Sequence, residues 1–225
     1  MSNRVIVAID GPSASGKSTV AKQVAAVLGY VYVDSGSLYR GVTWKAIRDK
    51  IDPAHAHELI DMIDRVDIRF FLRGQSVAFT MDGLDPLGEL RSGEVQEKVS
   101  AVSAVPEVRE RVVAWLRGMV RFGNLVMEGR DIGSAVFPDS SFRFYVDADP
   151  MVRAQRRHAE LAARNENVDL QSVFQSLKRR DQTDSTRKVA PLTIPPGALV
   201  VDTTKMTVEE VAQYIVRQVT ETGRR

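Results

Sequence analysis

Apolar and polar positions along the chain follow two alternating rhythms. Val5–Ile9 is a continuous apolar, β-branched run, the pattern of a strand covered on both faces. Lys17–Leu28 then carries Val20, Ala21, Val24 and Leu28 at helical spacing, with Gly29 as a C-terminal stop. Tyr30–Val33 reads as a second short strand, and Ser37–Lys50 places Leu38, Val42 and Ala46 on one helical face. The buried-strand pattern returns at Leu125–Met127, Phe142–Val146 and Ala198–Val201. Helical patterns run from Pro106, a favoured first helical position, to about Phe122, from about Pro150 to Asn165, from Leu170 to about Asp184 and from Val208 to Val219. Strands alternating with helices predict an α/β fold with a five-stranded parallel sheet and helices on both faces.

Asp52–Gly93 breaks that alternation. A short helix around Glu58–Arg65 precedes two β-type runs, Asp67–Arg73 and Ser76–Asp82, joined at Gly74-Gln75. Two such runs meeting at a glycine turn predict an antiparallel hairpin. Residues 52–93 are therefore expected to form an inserted small lobe, with 1–51 and 94–225 as the core domain. Fraying is expected over Thr222–Arg225.

Composition narrows the chemistry. The 225 residues are 44% hydrophobic and 27% charged, ordinary for a protein with a sizeable core. A formal net charge of +2 gives no global field for nucleic acid or a membrane surface. Cysteine is absent, which excludes disulfides, thiolate metal sites and cysteine nucleophiles. His55, His57 and His158 are too scattered for a zinc centre. No apolar run approaches the roughly 18 residues that span a bilayer, and a cytoplasmic monomer is the expectation.

The strongest local signal is Gly11-Pro12-Ser13-Ala14-Ser15-Gly16-Lys17-Ser18-Thr19, between the first strand and the first helix. It fits the phosphate-loop pattern of two glycines, then lysine and a hydroxyl residue. Glycines let the backbone approach phosphate oxygens, inward N–H groups bind them, and the helix dipole lies behind. Lys17 has the reach for β- and γ-phosphate oxygens, and Ser18 is the candidate Mg²⁺ ligand. Switch proteins, motors and small-molecule kinases share this loop. The absence of a guanine-reading Asn-Lys-x-Asp and the many later arginines favour a kinase, because two nucleotides bring several phosphates together and bidentate cations must neutralise them.

Further motifs follow in order: Asp34-Ser35-Gly36-Ser37-Leu38-Tyr39-Arg40, Glu128-Gly129-Arg130-Asp131-Ile132-Gly133, then Arg180-Asp181, Asp184, Arg187 and Ala190-Pro191-Leu192. With the phosphate loop they make the chain resemble the bacterial-type cytidylate kinases over nearly its whole length, the insertion included. The resemblance implies a phosphate-loop kinase fold with a helical lid near 150–170, ATP and Mg²⁺, and CMP or dCMP as acceptor. It implies that Arg40, Arg130 and Arg187 grip the acceptor phosphate, near Ser35 and Gly36. Asp131 would meet the cytosine amino group, with Ser100 and Arg109 on the base edge, and Arg180 and Asp184 would hold the sugar. Arg153, Arg156 and Arg157, spaced i, i+3, i+4 on one helical face, are the lid arginines, Arg153 and Arg157 on the moving phosphoryl group with Lys17 and Arg130, and Arg156 on ATP. Rival readings are a kinase for AMP, UMP, shikimate or a sugar acid, and a nucleotide-binding protein without turnover.

Overall fold

The computed structural model describes residues 4–53, 55–166 and 168–222; the fraying expected at the C-terminal end concerns positions outside them from 223 on. Seven strands form one sheet: β1 (Ile6–Asp10), β2 (Val31–Asp34), β3 (Ile68–Arg73), β4 (Ser76–Met81), β5 (Leu125–Gly129), β6 (Phe142–Asp147) and β7 (Leu199–Asp202), in the order β3-β4-β2-β5-β1-β6-β7. The five strands β2, β5, β1, β6 and β7 are all parallel, as the buried apolar runs predict. Two strands more than expected join this sheet. The hairpin β3–β4 pairs antiparallel within itself and attaches to β2 through one parallel register pair, Tyr32 with Ser76. The Tyr32 amide donates to the Gln75 carbonyl at 2.8 Å, which extends the sheet into the hairpin.

Strand alternation sends side chains to two cores. Val7 and Ile9 of β1 join Val126, Phe144 and Val146 beneath α1 (Lys17–Leu28) and α8 (Val208–Thr222). Ile6 and Ala8 face the other way, with Leu125 and Met127, against α2 (Ser35–Arg48), α3 (Ala56–Arg65), α4 (Gly93–Ala104) and α5 (Pro106–Gly118). Fully buried residues such as Val7, Ile9 and Leu125 each contribute about 1.5–3 kcal/mol by leaving water.

Most expected elements lie within two or three residues of the observed ones. The exception is α4, for which the hydrophobic pattern predicts no element. It is built on Val95, Val99 and Val102, all buried, and is capped by Ser92 accepting from the Val95 amide. Two further helices, α6 (Pro150–Ala162) and α7 (Leu170–Thr186), pack together through Ala154, Val173 and Leu177 beside the sheet's carboxyl edge. Asp149 and Asp169 cap them by accepting from their first-turn amides. Parallel strands all ending on one edge leave a crevice there, the usual ligand site of open α/β sheets.

Candidate active site

The crevice begins where β1 ends. Gly11 takes φ of 151°, and a Cβ there would collide with the carbonyl oxygen of Val146, so no larger residue fits the turn. Gly16, at φ 88°, precedes α1. Between them the loop curls so that Ser13, Ala14, Gly16, Lys17, Ser18 and Thr19 line a cavity of about 270 Å³. The Lys17 ammonium donates to the Pro12 carbonyl at 2.9 Å. Burial, reinforced by Arg130, lowers its pKa to about 7. The Ser18 hydroxyl donates to Glu128 Oε1 at 2.6 Å, and the Tyr32 hydroxyl donates to the same oxygen at 3.1 Å. Glu128 enters here because β5 runs parallel to both β1 and β2.

The opposite wall comes from α2, α4, α5 and α7. Asp34 caps α2 by accepting from the Ser37 amide at 3.0 Å and binds Arg40 Nη2 at 2.7 Å. Burial disfavours the Asp34 carboxylate, yet Arg40, Arg91 and the Ser37 amide hold it below the ordinary range. Arg130 donates from Nε to Asp184 Oδ2 at 2.9 Å and from Nη1 to the Gly11 carbonyl at 3.0 Å, so it ties α7 to the phosphate loop. Burial also opposes the Asp184 charge, but Arg130 and Arg180 keep its pKa low. Arg180 makes no such bond from its buried Nε. Desolvation, with Arg130 next to it, lowers the Arg180 pKa to about 10. Asp131 accepts from Arg109 Nη2, and Arg187 approaches its other oxygen at 3.8 Å. Arg109 is 2% exposed and stacks 5.2 Å over the Tyr39 ring.

Around the cavity, Ser35, Gly36, Arg40, Arg109, Arg130, Asp131, Arg180, Asp184 and Arg187 come together with Lys17 and Ser18; all but Arg109, which comes from α5, are drawn from four separate sequence motifs. Ser100 does not. Its carbonyl accepts from the Ser103 hydroxyl at 3.2 Å, and the cavity wall of α4 is instead Gln96, Val99 and Ser103. One helical face, i to i+3 to i+7, passes through those three and leaves Ser100 beside it.

The α6 arginines also divide. Arg157 lines the cavity and pairs with Glu160 at 3.0 Å. Arg153, expected on the moving phosphoryl group, is buried and donates to Asp181 at 2.6 Å, to the Ala148 carbonyl at 3.1 Å and to the Ser13 carbonyl at 3.3 Å. Arg156, expected on ATP, donates to the Thr203 carbonyl at 2.7 Å, to its hydroxyl at 3.1 Å and to the Ser15 carbonyl at 3.4 Å. Both thus brace the phosphate loop from behind, because a carboxylate and backbone carbonyls lie within their reach. Thr203 adds a 3.0 Å bond to the Ser15 carbonyl. The sequence offers no signal for Thr203 or for Tyr32, whose partners lie far along the chain; Tyr39 lies within the Asp34–Arg40 motif, which by itself gives it no role.

Among the described residues no helix is long and apolar enough to cross a membrane, and no cluster of three histidines or carboxylates is poised for a metal.

Residues 7–221 match the family model described as cytidylate kinase. The cytidylate kinase of Caldanaerobacter subterraneus subsp. tengcongensis is 43% identical over 211 residues, 94% of this chain and 92% of that protein. That of Pediococcus pentosaceus is 40% identical over 225 residues, covering all of both chains. A crystal structure of an uncharacterized protein from Eubacterium ventriosum shares the fold at TM-score 0.55 and 14% identity, covering 97% of this chain and 99% of that one. The matched span includes the phosphate loop, residues 52–93 and every arginine of the crevice, and the chain belongs to the cytidylate kinase family.

Proposed function

We propose that this crevice takes ATP, accompanied by Mg²⁺, on the Gly11–Thr19 loop and CMP or dCMP on its arginine-lined half. Transfer of the γ-phosphoryl group of ATP to CMP or dCMP is the activity of the family to which the chain belongs. One observation carries the assignment of residues. Nine basic side chains and five carboxylates surround the cavity, and Arg40 Nε, Arg180 Nε and Arg187 Nη2 are buried there without a hydrogen-bond acceptor. Buried donors require partners. The unbalanced charge matches the roughly four negative charges that MgATP and a nucleoside monophosphate carry together.

The residues fit Mg²⁺. Ser18 Oγ and the Glu128 carboxylate, 2.6 Å apart, are hard oxygen donors, and a site without a carboxylate cluster suits an ion that keeps waters and phosphate oxygens. Ser18 would hold it and Glu128 would orient its waters. When bound, Mg²⁺ would neutralise charge on the β- and γ-phosphates.

The chain's own groups do the rest. Loop amides and Lys17 hold the donor, Arg40, Arg130 and Arg187 hold the acceptor phosphate, and Arg157 closes on the transferring group. An acceptor phosphate is already ionised at neutral pH, so alignment and charge neutralisation suffice and no general base is needed. Asp131 accepts from the cytosine amino group, a carboxylate-to-amine pairing, with Arg109 beside it. The insertion 52–93 supplies the outer wall of the acceptor side through Arg91.

Pure protein with MgATP and a panel of CMP, dCMP, UMP, AMP, shikimate and gluconate tests this by ADP release. CMP or dCMP should give the highest kcat/KM, with CDP or dCDP as product. Faster turnover of AMP or shikimate would sink the assignment of the acceptor half.

A further inference from the structure

Asp10 is the last residue of β1 and is wholly buried, yet it belongs neither to the phosphate loop nor to the cavity wall. Its Oδ1 accepts from the Ile132 amide and its Oδ2 from the Gly133 amide, each at 2.7 Å. Those amides open a single wide turn, Ile132–Val136, directly after Arg130 and Asp131. Further along the turn, the Ala135 and Val136 amides donate back to the Asp131 carbonyl at 2.9 and 3.1 Å. The first two amides of such a turn have no partner within it, and Asp10 satisfies both.

The consequence reaches the side chains. β1 and β5 pair Asp10 with Gly129, so backbone register fixes the segment up to Gly129 and the Asp10 carboxylate fixes it again from Ile132. Arg130 and Asp131 hang between those two anchors. One residue past Asp10, the Gly11 carbonyl receives Arg130 Nη1 at 3.0 Å. The phosphate loop and the two-residue hook therefore share one origin. Only a carboxylate serves, since each oxygen must accept; an asparagine would turn its NH₂ group against one of the amides. Asp131 and Lys17 are the charged groups acting on it, and burial pushes its pKa to about 7 against the pull of the two amides.

We propose that Asp10 is a positioning residue for the acceptor half of the site: it sets the Arg130–Asp131 hook against the phosphate loop. The inference rests on the reading of Arg130 and Asp131 as acceptor-binding groups.

Asp10→Asn in the full chain tests it by steady-state kinetics with each substrate varied. The CMP KM should rise about tenfold or more, equivalent to about 1.4 kcal/mol, while the ATP KM stays within about twofold. A folded variant with an unchanged CMP KM, or with both constants raised equally, overturns the proposal. Should the variant not fold, amide hydrogen exchange of the wild type decides: Ile132 and Gly133 should be strongly protected without ligand, and rapid exchange at both refutes the clamp. An active wild type with an unaffected Asp10→Asn removes this inference alone, whereas a wild type that forms no CDP removes the acceptor reading beneath it as well.

Discussion

Replacing Arg180 with methionine should make the ligand-free protein more stable and a poorer user of CMP. Arg180 lies among Arg130, Arg40 and Arg157, with Asp184 as its one attractive neighbour, and its Nε has no acceptor. Desolvation and Arg130 bring its pKa from 12.5 to about 10. The sign follows from that direction. The folded state disfavours the charged form, so the penalty applies in full at every pH well below 10 and fades only as pH rises through that value. At about 1.4 kcal/mol for each tenfold change in proton affinity, the unscreened penalty is about 3 kcal/mol. Water in the open crevice reduces this to roughly 1–2 kcal/mol. For a chain of this size that corresponds to a Tm increase of roughly 2–8 °C. The loss on binding is of similar size: charge-assisted bonds contribute about 1.5–3 kcal/mol, so the CMP KM should rise roughly tenfold to a hundredfold. Thermal melts at pH 7 with and without CMP, beside steady-state kinetics, read both effects. A variant that melts lower than wild type and keeps the wild-type CMP constant would refute the reasoning.

Two other outcomes are expected. Lys17 is close to half-neutral at pH 7 without nucleotide, and phosphate oxygens favour its charged form; ATP binding should therefore take up close to one proton as pH rises to about 9, and ATP affinity should weaken over that interval. Calorimetry in buffers of different ionisation enthalpy measures this, and a buffer-independent enthalpy counts against it. Thr203→Val removes the hydroxyl that donates to the Ser15 carbonyl and receives Arg156. At about 1 kcal/mol per bond, the ATP KM should rise several-fold with the CMP KM nearly unchanged; a larger effect on CMP would contradict the bracing role.

Local chemistry was legible in the sequence, and long-range pairing was not. The loop from Gly11 to Thr19 announces itself because glycine geometry, a lysine and a helix start coincide within nine residues. The hairpin was legible for the same reason, through Gly74 between two β-type runs. Its attachment to the main sheet was not, because that pairing depends on Tyr32 meeting Ser76 across the intervening helices. Helix α4 escaped because only three valines mark its buried face and a capping serine opens it. Motif order points to the crevice arginines as a group, and Arg40, Arg130, Arg180 and Arg187 do gather around one cavity. The family resemblance puts Arg153 and Arg156 on the nucleotide, whereas Asp181 and the carbonyls of Ser13, Ser15 and Thr203 hold them here. Asp10 carries no local signature at all, since its partners lie more than a hundred residues away.

The central position of β1 has a consequence for synthesis. Its neighbours in the sheet, β5 and β6, begin at Leu125 and Phe142. At about 5–20 residues per second, a ribosome needs on the order of ten seconds between making β1 and making β5. Throughout that delay Val7 and Ile9, wholly buried in the finished protein, have no strand to pair with. The nascent chain must hold its most apolar segment unpaired until more than half its length has emerged, so truncation before β5 removes the partner on which the phosphate loop's own strand depends.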